Sequence, residues 1–534
     1  MKSKINLLIV ICCISFLASG QDWKVYPYTP AGQVAFPNDE GRHASEPIEW
    51  WYSAGHVVGQ TSGKSYSFMY TFFHYPQSGF DGFRILNITD DDTGTFLQDV
   101  KPLIYTTLST TSFDIEADVF LAATEYWKNK EDMSNVPIPF EYELFAQASS
   151  NAGLDIEFNT IKRPLILGDD GFLNQGESNY TYYFSQTMNE VTGTITFNGT
   201  TEAVIGTGWI DRQYGNFNPL TGEKYEWFSM QLSNGMDLNL WNIFTPDRLI
   251  PNNDKYKILS AYVDENTQYT TDDFEIERLA YNWMPDDMRC YSSQWRLTST
   301  VNNIDLIITT LHDNTEVQLP FRFYEGATSI TGTINGVAVT GIGFAELLHD
   351  YQDPQVTITY PNSGVYDTSL PIAWTLDNPD DGRPIFYDIE YSTDNQNSFD
   401  PIVSGLTNTS YIWSNSTLSN NDEVWFKITA YSIDGTLTNT LISTSSSTAT
   451  LSNDDIFKSN IKLYPNPVKD NFTLEFNSIQ NGSYEIVDIS GRIIKTTTSF
   501  EGQQLNVSAK YLKSGIYFIT VNTNTGKASF RFIK

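Results

Sequence analysis

Two short blocks hold the residues best equipped for chemistry. Glu49-Trp50-Trp51-Tyr52-Ser53-Ala54-Gly55-His56 puts an acid, two indoles, a phenol and an imidazole close together. Gly208-Trp209-Ile210-Asp211-Arg212-Gln213-Tyr214-Gly215 puts an acid and a guanidinium among aromatic rings. If the first block is a strand, period-two alternation sends Glu49 and Trp51 to one face and Trp50, Tyr52 and His56 to the other. The second block then divides into Trp209, Asp211 and Gln213 against Ile210, Arg212 and Tyr214. A carboxyl lodged beside indoles in a dry cavity keeps its proton, because desolvation penalises the ion. Such an acid can protonate an alkene, and indole faces can steady the cation that forms. Asp211 and Glu49 are therefore the candidate catalytic acids. Trp50, Trp51, Tyr52, His56, His74, Tyr183, Trp209, Arg212 and Tyr214 are the candidate ligand-binding residues. The same residues also admit a structural reading, with Asp-Arg as an ion pair closing a barrel end and Glu-Trp-Trp as core packing around a paired carboxylate. His56 and His74 can equally be ordinary strand histidines. Glu325 and Glu346, in Phe323-Tyr324-Glu325-Gly326 and Gly343-Phe344-Ala345-Glu346-Leu347, read as structural.

The elements that must hold these residues are strands. Aromatic side chains are abundant (31 Tyr, 33 Phe, 12 Trp) and suit pleated surfaces. Alternating aromatic segments recur at 65–75, 141–145, 191–197, 237–244 and 304–310, punctuated by Asn198-Gly199, Asn234-Gly235 and Asn335-Gly336 turns. Residues 124–132 read as a turn or two of helix. The chain is otherwise expected to be all-β, with five parts: a signal peptide (1–20), a large body divided at 21–218 and 219–352, a module at 353–453 and a tail at 454–534. The first part has Lys2 and Lys4, an apolar run too short to span a bilayer, and Ala18-Ser19-Gly20 as a cleavage site. Cleavage before Gln21 removes two lysines, Cys12 and Cys13, and leaves Cys290 as the one thiol, so no intramolecular disulfide is expected. The formal charge of −32 excludes nucleic acid and anionic lipid surfaces as partners. No later segment reads as a transmembrane helix.

Three resemblances follow from motifs in order along the chain. The tail carries Leu463-Tyr464-Pro465-Asn466-Pro467, then residues 484–494 (YEIVDISGRII), then Leu512-Lys513-Ser514-Gly515-Ile516-Tyr517. It resembles the type A C-terminal sorting domain of the type IX secretion system. That implies secretion machinery as a partner and release to the exterior or the outer cell surface. The middle module, with Trp374 and residues 423–431 (EVWFKITAY), is similar to a fibronectin type III or immunoglobulin-like sandwich. The body carries Phe36-Pro37-Asn38-Asp39-Glu40-Gly41, the Glu-Trp-Trp-Tyr block, residues 180–186 (YTYYFSQ) and the Gly-x-Gly-Trp-x-Asp-Arg block. It resembles the carotenoid hydratase (hydroxyneurosporene synthase) family and its relatives described as secreted hydrolases.

The last resemblance implies two consecutive lipocalin-like β-barrels, each wide enough to hold a small apolar ligand, and hydration of a polyene double bond. The acid proposed for that step in the family maps to Asp211. The chain departs from the family at Gln213 and Tyr214, at Ile48 before Glu-Trp-Trp, and at Asp39-Glu40-Gly41. Two function classes stay open. One is an enzyme, a hydratase or hydrolase, that adds water to, isomerises or hydrolyses a hydrophobic small molecule such as a polyene or lipid. The other is a non-catalytic carrier or surface binder for lipids or glycans. No cofactor and no metal are expected: there is no His-x-x-x-His or paired-cysteine cluster, no Gly-x-Ser-x-Gly elbow and no phosphate loop. The acidic runs Asp90-Asp91-Asp92 and Asp272-Asp273 lack calcium-ligand spacing and read as solvated turns.

Overall fold

The computed structural model describes residues 22–30, 32–77, 79–149, 151–217, 221–318, 321–361, 369–414, 423–443, 447–448 and 457–534. The leader at 1–20, with Cys12 and Cys13, and most of the linker at 443–455 lie outside them. The chain forms two compact units. One runs to Gln352 and takes in Pro379–Pro384; the other comprises Asp353–Asn378 and Ile385–Lys534.

The first barrel contributes β1 (Ile48–Gly59), β2 (Ser65–Gln77), β3 (Phe80–Asp90), β4 (Thr95–Leu108), β5 (Asp114–Val119), β6 (Thr124–Glu131), β7 (Pro137–Ser149), β8 (Ala152–Thr160), β9 (Leu165–Ile166), β10 (Phe172–Gln175), β11 (Asn179–Phe197) and β12 (Thr200–Gly215). Ten of these close a ring, β11-β12-β1-β2-β3-β4-β5-β6-β7-β8 and back to β11; β9 and β10 are added on the free half of β11. Residues 124–132 are not helical. Tyr126, Trp127 and Lys128 pair with β7, and Trp127 is fully buried in the barrel core. Alternation of Glu125 and Trp127 inward with Tyr126 and Lys128 less buried is the strand period.

The second barrel contributes β13 (Lys224–Leu232), β14 (Asp237–Phe244), β15 (Lys257–Asp264), β16 (Thr267–Thr271), β17 (Glu275–Trp283), β18 (Cys290–Ser299), β19 (Ile304–Thr310), β20 (Glu316–Val317), β21 (Phe323–Ile334) and β22 (Val337–Leu347). Its main path, β16-β15-β14-β13-β22-β21-β19-β18-β17, leaves β16 and β17 as edges, so the sheet curls without closing. Cys290 begins β18 as a buried thiol.

Three large apolar clusters fill this unit, beside a smaller one around Phe36, Phe140 and Phe184. Trp51, Tyr70, Phe72, Trp127, Tyr142 and Phe158 pack the interior of the first barrel, leaving it a filled core. Phe228, Leu240, Tyr291 and Trp295 belong to the concave core of the second sheet. A third cluster joins the outer face of the first barrel (Tyr52, Met69, Trp209) to the opposite face of the second sheet (Trp227, Trp241, Phe344). In the second unit, a three-stranded and a five-stranded sheet enclose Leu370, Trp374, Tyr387, Ile389, Trp413 and Phe426. The tail is one five-stranded sheet whose register shifts between Glu475 and Gln480, around a core of Phe472, Ile486, Ile519, Val521 and Phe532.

Candidate functional site

Two Asn-Gly hairpins present the chemistry. Asn198 and Gly199 take φ of 48° and 77° in the β11–β12 turn, and Asn335 and Gly336 take 52° and 75° in the β21–β22 turn. This left-handed pair suits a two-residue hairpin, whose twist matches the strands. In the second hairpin Ile334 pairs with Val337, and an unbroken register carries the pairing down to Glu325 opposite Glu346. In the first hairpin the register slips between Gln186 and Asn189, so Ser185 rather than Gln186 lies opposite Asp211. β1 then lays Tyr52 against Asp211 and Trp50 against Gln213. The close approach of β1 and β12 needs glycine at 206, where a Cβ would sit 2.0 Å from the His56 carbonyl oxygen.

The faces separate as the alternation requires. On the inward face, Arg212 donates to Glu49 and to the Gly41 carbonyl, and its guanidinium lies 4.1 Å from the Trp51 ring centroid. The His43 backbone N–H donates to both Glu49 oxygens at 2.9 and 3.0 Å. His43 stacks on Tyr214 at 3.5 Å. Burial pushes the Glu49 carboxyl up, but the Arg212 charge and the His43 hydrogen bonds outweigh it and hold it below the ordinary range. His74 is buried opposite Glu49, and burial lowers its pKa. His56 reaches the second sheet, its Nε2 lying 3.2 Å from the Gly343 carbonyl oxygen, and burial lowers it too.

The outward face borders a cavity of about 510 Å³ between the two barrels. Trp50, Tyr52, Tyr183, Asp211, Gln213, Tyr225, Trp227, Trp241 and Glu346 are among its walls, with Met69, Phe73, Phe83, Ile85 and Val100 completing an apolar lining. Asp211 is 3% exposed. Its carboxylate accepts from Tyr183 Oη (2.5 Å), Ser185 Oγ (2.5 Å) and Trp209 Nε1 (2.7 Å). Behind them Asn239 Nδ2 donates to Tyr183 Oη (2.9 Å) and Ser185 Oγ (3.2 Å), and Trp227 Nε1 donates to Asn239 Oδ1 (3.2 Å). Burial pushes Asp211 up to about 7; the three donors oppose this and the Glu346 charge adds to it. The Asp211 carboxyl is thus divided between its two protonation states near neutrality.

Trp50, Tyr52, Tyr183 and Asp211 therefore come together at the cavity, with Trp209 joined to them through its hydrogen bond to Asp211, whereas Glu49, Trp51, His74, Arg212 and Tyr214 form a buried ion-pair cluster, and His56 lies apart from both. The largest difference from the sequence reading concerns Glu325 and Glu346. Tyr52 Oη donates to Glu325 Oε1 at 2.9 Å, and Tyr225 Oη donates to Glu346. Burial pushes both carboxyls up, and the Glu346 charge raises Glu325 further. The Asn335-Gly336 turn held the signal, because counting back from a two-residue hairpin pairs 325 with 346. The cavity also lies outside the first-barrel interior, where Trp51, Tyr70, Phe72, Trp127, Tyr142 and Phe158 pack together. Among the described residues no group of His, Cys, Asp and Glu is arranged to hold a metal, and no helix is long and apolar enough to cross a membrane.

A family profile described as AttH-like matches residues 27–351, which spans both barrels and the whole cavity. The chain belongs to the AttH-like family. A second profile, described as a secretion system C-terminal sorting domain, matches residues 462–534. This AttH-like chain is similar to the crystal structure of a protein assigned as AttH from Nitrosomonas europaea: 21% identity, 61% of this chain, 99% of the other, TM-score 0.50. It is also similar to kievitone hydratase from Nectria haematococca, at 17% identity over 60% of this chain and 96% of the other, TM-score 0.48. Comparison with curated proteins finds no match. The AttH-like protein is a small-molecule binding or modifying protein, and its sorting domain directs it through type IX secretion to the exterior or the cell surface.

Proposed function

We propose that the protein adds water across a carbon–carbon double bond of a hydrophobic small molecule, a polyene or an unsaturated lipid, held between the barrels. The observation that carries this reading is Asp211, a carboxyl poised near neutrality at the wall of a mainly apolar, ring-lined cavity. The carboxyl proton passes to one alkene carbon, with the π pair forming the new C–H bond. The other carbon becomes a cation, which the faces of Trp227 and Trp50 stabilise. Water closes on that carbon and loses one proton, and one water is added overall. A cavity of this size suits a drug-sized or short isoprenoid segment, within the roughly 300–1,000 Å³ usual for ligand sites. The resemblance of the Glu-Trp-Trp-Tyr and Gly-x-Gly-Trp-x-Asp-Arg blocks to carotenoid hydratases points the same way.

The test is incubation of the exported chain with squalene and with a bacterial polyene extract in ¹⁸O-labelled water, followed by mass spectrometry. Products heavier by one labelled water, lost in Asp211→Asn, are expected. Retention of unaltered polyene by both proteins would overturn the enzymatic reading in favour of a carrier.

A further inference from the structure

Asp211 supplies a proton, but hydration also needs a group to receive one from the attacking water. Glu346, on β22, lines the same cavity as Asp211, is half-buried, and its charge acts on Asp211. Glu325 stands beside it in the β21–β22 register and is 2% exposed. Among the described residues, the side chains acting on the two glutamates are each other, Tyr52 and Tyr225, and the cation on the cavity wall, Lys101, is not one of them. Glu325 Oε1 accepts from Tyr52, while Oε2 is buried with no donor. A buried acceptor without a donor costs about 1–3 kcal/mol. Two bare carboxylates side by side in an apolar wall would cost more, so one proton between them satisfies both the orphaned oxygen and the charge.

We infer that Glu346 is the proton acceptor for the attacking water, with Glu325 as the positioning residue that shares its proton. This inference rests on the hydration reading above. The three carboxyls then hold two protons and one negative charge. In the forward step Asp211 gives its proton to the alkene carbon and becomes ionised. Water oxygen bonds to the cationic carbon, and its released proton completes the Glu325–Glu346 pair. The total charge of the site is unchanged, and return of one proton from the pair to Asp211 resets it. No cationic side chain is needed, because the carbocation offsets the second carboxylate while both are ionised, and the net charge of the site stays at one negative unit throughout.

Two readouts test this on the exported chain. The first needs no substrate: infrared difference spectra near neutral pH, in the carbonyl stretch of un-ionised carboxyls. Glu325→Gln, Glu346→Gln and the double variant should each lose the same one-proton absorbance relative to wild type, since each amide donates to the partner that remains. A double variant that loses twice as much as either single, or no loss in any of them, would overturn the shared proton. The second readout uses squalene in deuterated water. Glu346→Gln should lower hydration by about 10²–10⁴-fold while deuterium still exchanges into the alkene through Asp211. Asp211→Asn should lose both. Hydration at the wild-type rate in Glu346→Gln would refute the acceptor role alone. Hydration and exchange both intact in Asp211→Asn would refute the parent reading, and the infrared result would still decide the shared proton.

Discussion

Asp211 makes a prediction about stability that requires no substrate. Its carboxyl is moved from 3.8 to about 7 on folding, chiefly by burial. A raised acid binds its proton more tightly in the folded state, so between the two values the folded protein holds more protons than the unfolded chain. Stability must then fall as pH rises through that window and level off above about 7. About three pH units at about 1.4 kcal/mol each amount to about 4 kcal/mol in full. Of this, about 2.5 kcal/mol is lost between about pH 5 and about pH 8. Asp211→Asn removes the titration while keeping the shape, and the Tyr183 hydroxyl can turn from donor to acceptor toward the amide. Glu40, pushed up to about 7 by burial, acts with the same sign in both proteins and cancels from the difference. Urea unfolding of both proteins, followed by tryptophan fluorescence across that pH range, gives the comparison. Wild type should lose about 2.5 kcal/mol more than the variant over that interval. Parallel pH profiles would show that Asp211 titrates as an ordinary surface carboxyl and would remove the basis for its role as an acid.

Glu49→Gln should lower stability by about 3–5 kcal/mol, because it strands the buried Arg212 guanidinium; urea midpoints measure this. The Glu49 carboxyl is held below the ordinary range, so the wild-type advantage over Glu49→Gln should shrink as pH falls through that lowered value. Melting of the exported chain should be the same with and without reductant, since Cys290 is the only cysteine after residue 20; calorimetry of the monomer checks it. Deleting residues 462–534 should trap the protein inside the cell envelope. Intact-mass analysis of the exported wild type should find a chain that begins near Gln21 and lacks most of 454–534.

What the sequence by itself determined is local. Alternation divided β1 and β12 into an Asp211 face and an Arg212 face before any partner was known, because side chains of a strand alternate whatever lies beside it. Motif order along the chain identified the sorting tail and the family of the body. The Asn335-Gly336 turn contained the Glu325–Glu346 pairing, since a two-residue hairpin sets register by counting. Tertiary structure decided the rest. The slip at Gln186–Asn189 that puts Ser185 opposite Asp211 is one extra residue in a ladder, and alternation does not register it. Pairing with the neighbouring strand β7 turned residues 124–132 from expected helix into β6. The placing of Glu346 in the same cavity as Asp211 depends on β13 pairing with β22 and on the second sheet packing against the outside of the first barrel. Those contacts join residues more than a hundred positions apart. Burial, not residue type, pushes the Glu346 carboxyl up: the same carboxyl facing solvent would ionise in the ordinary range, and only the packed structure determines which carboxyls are denied water.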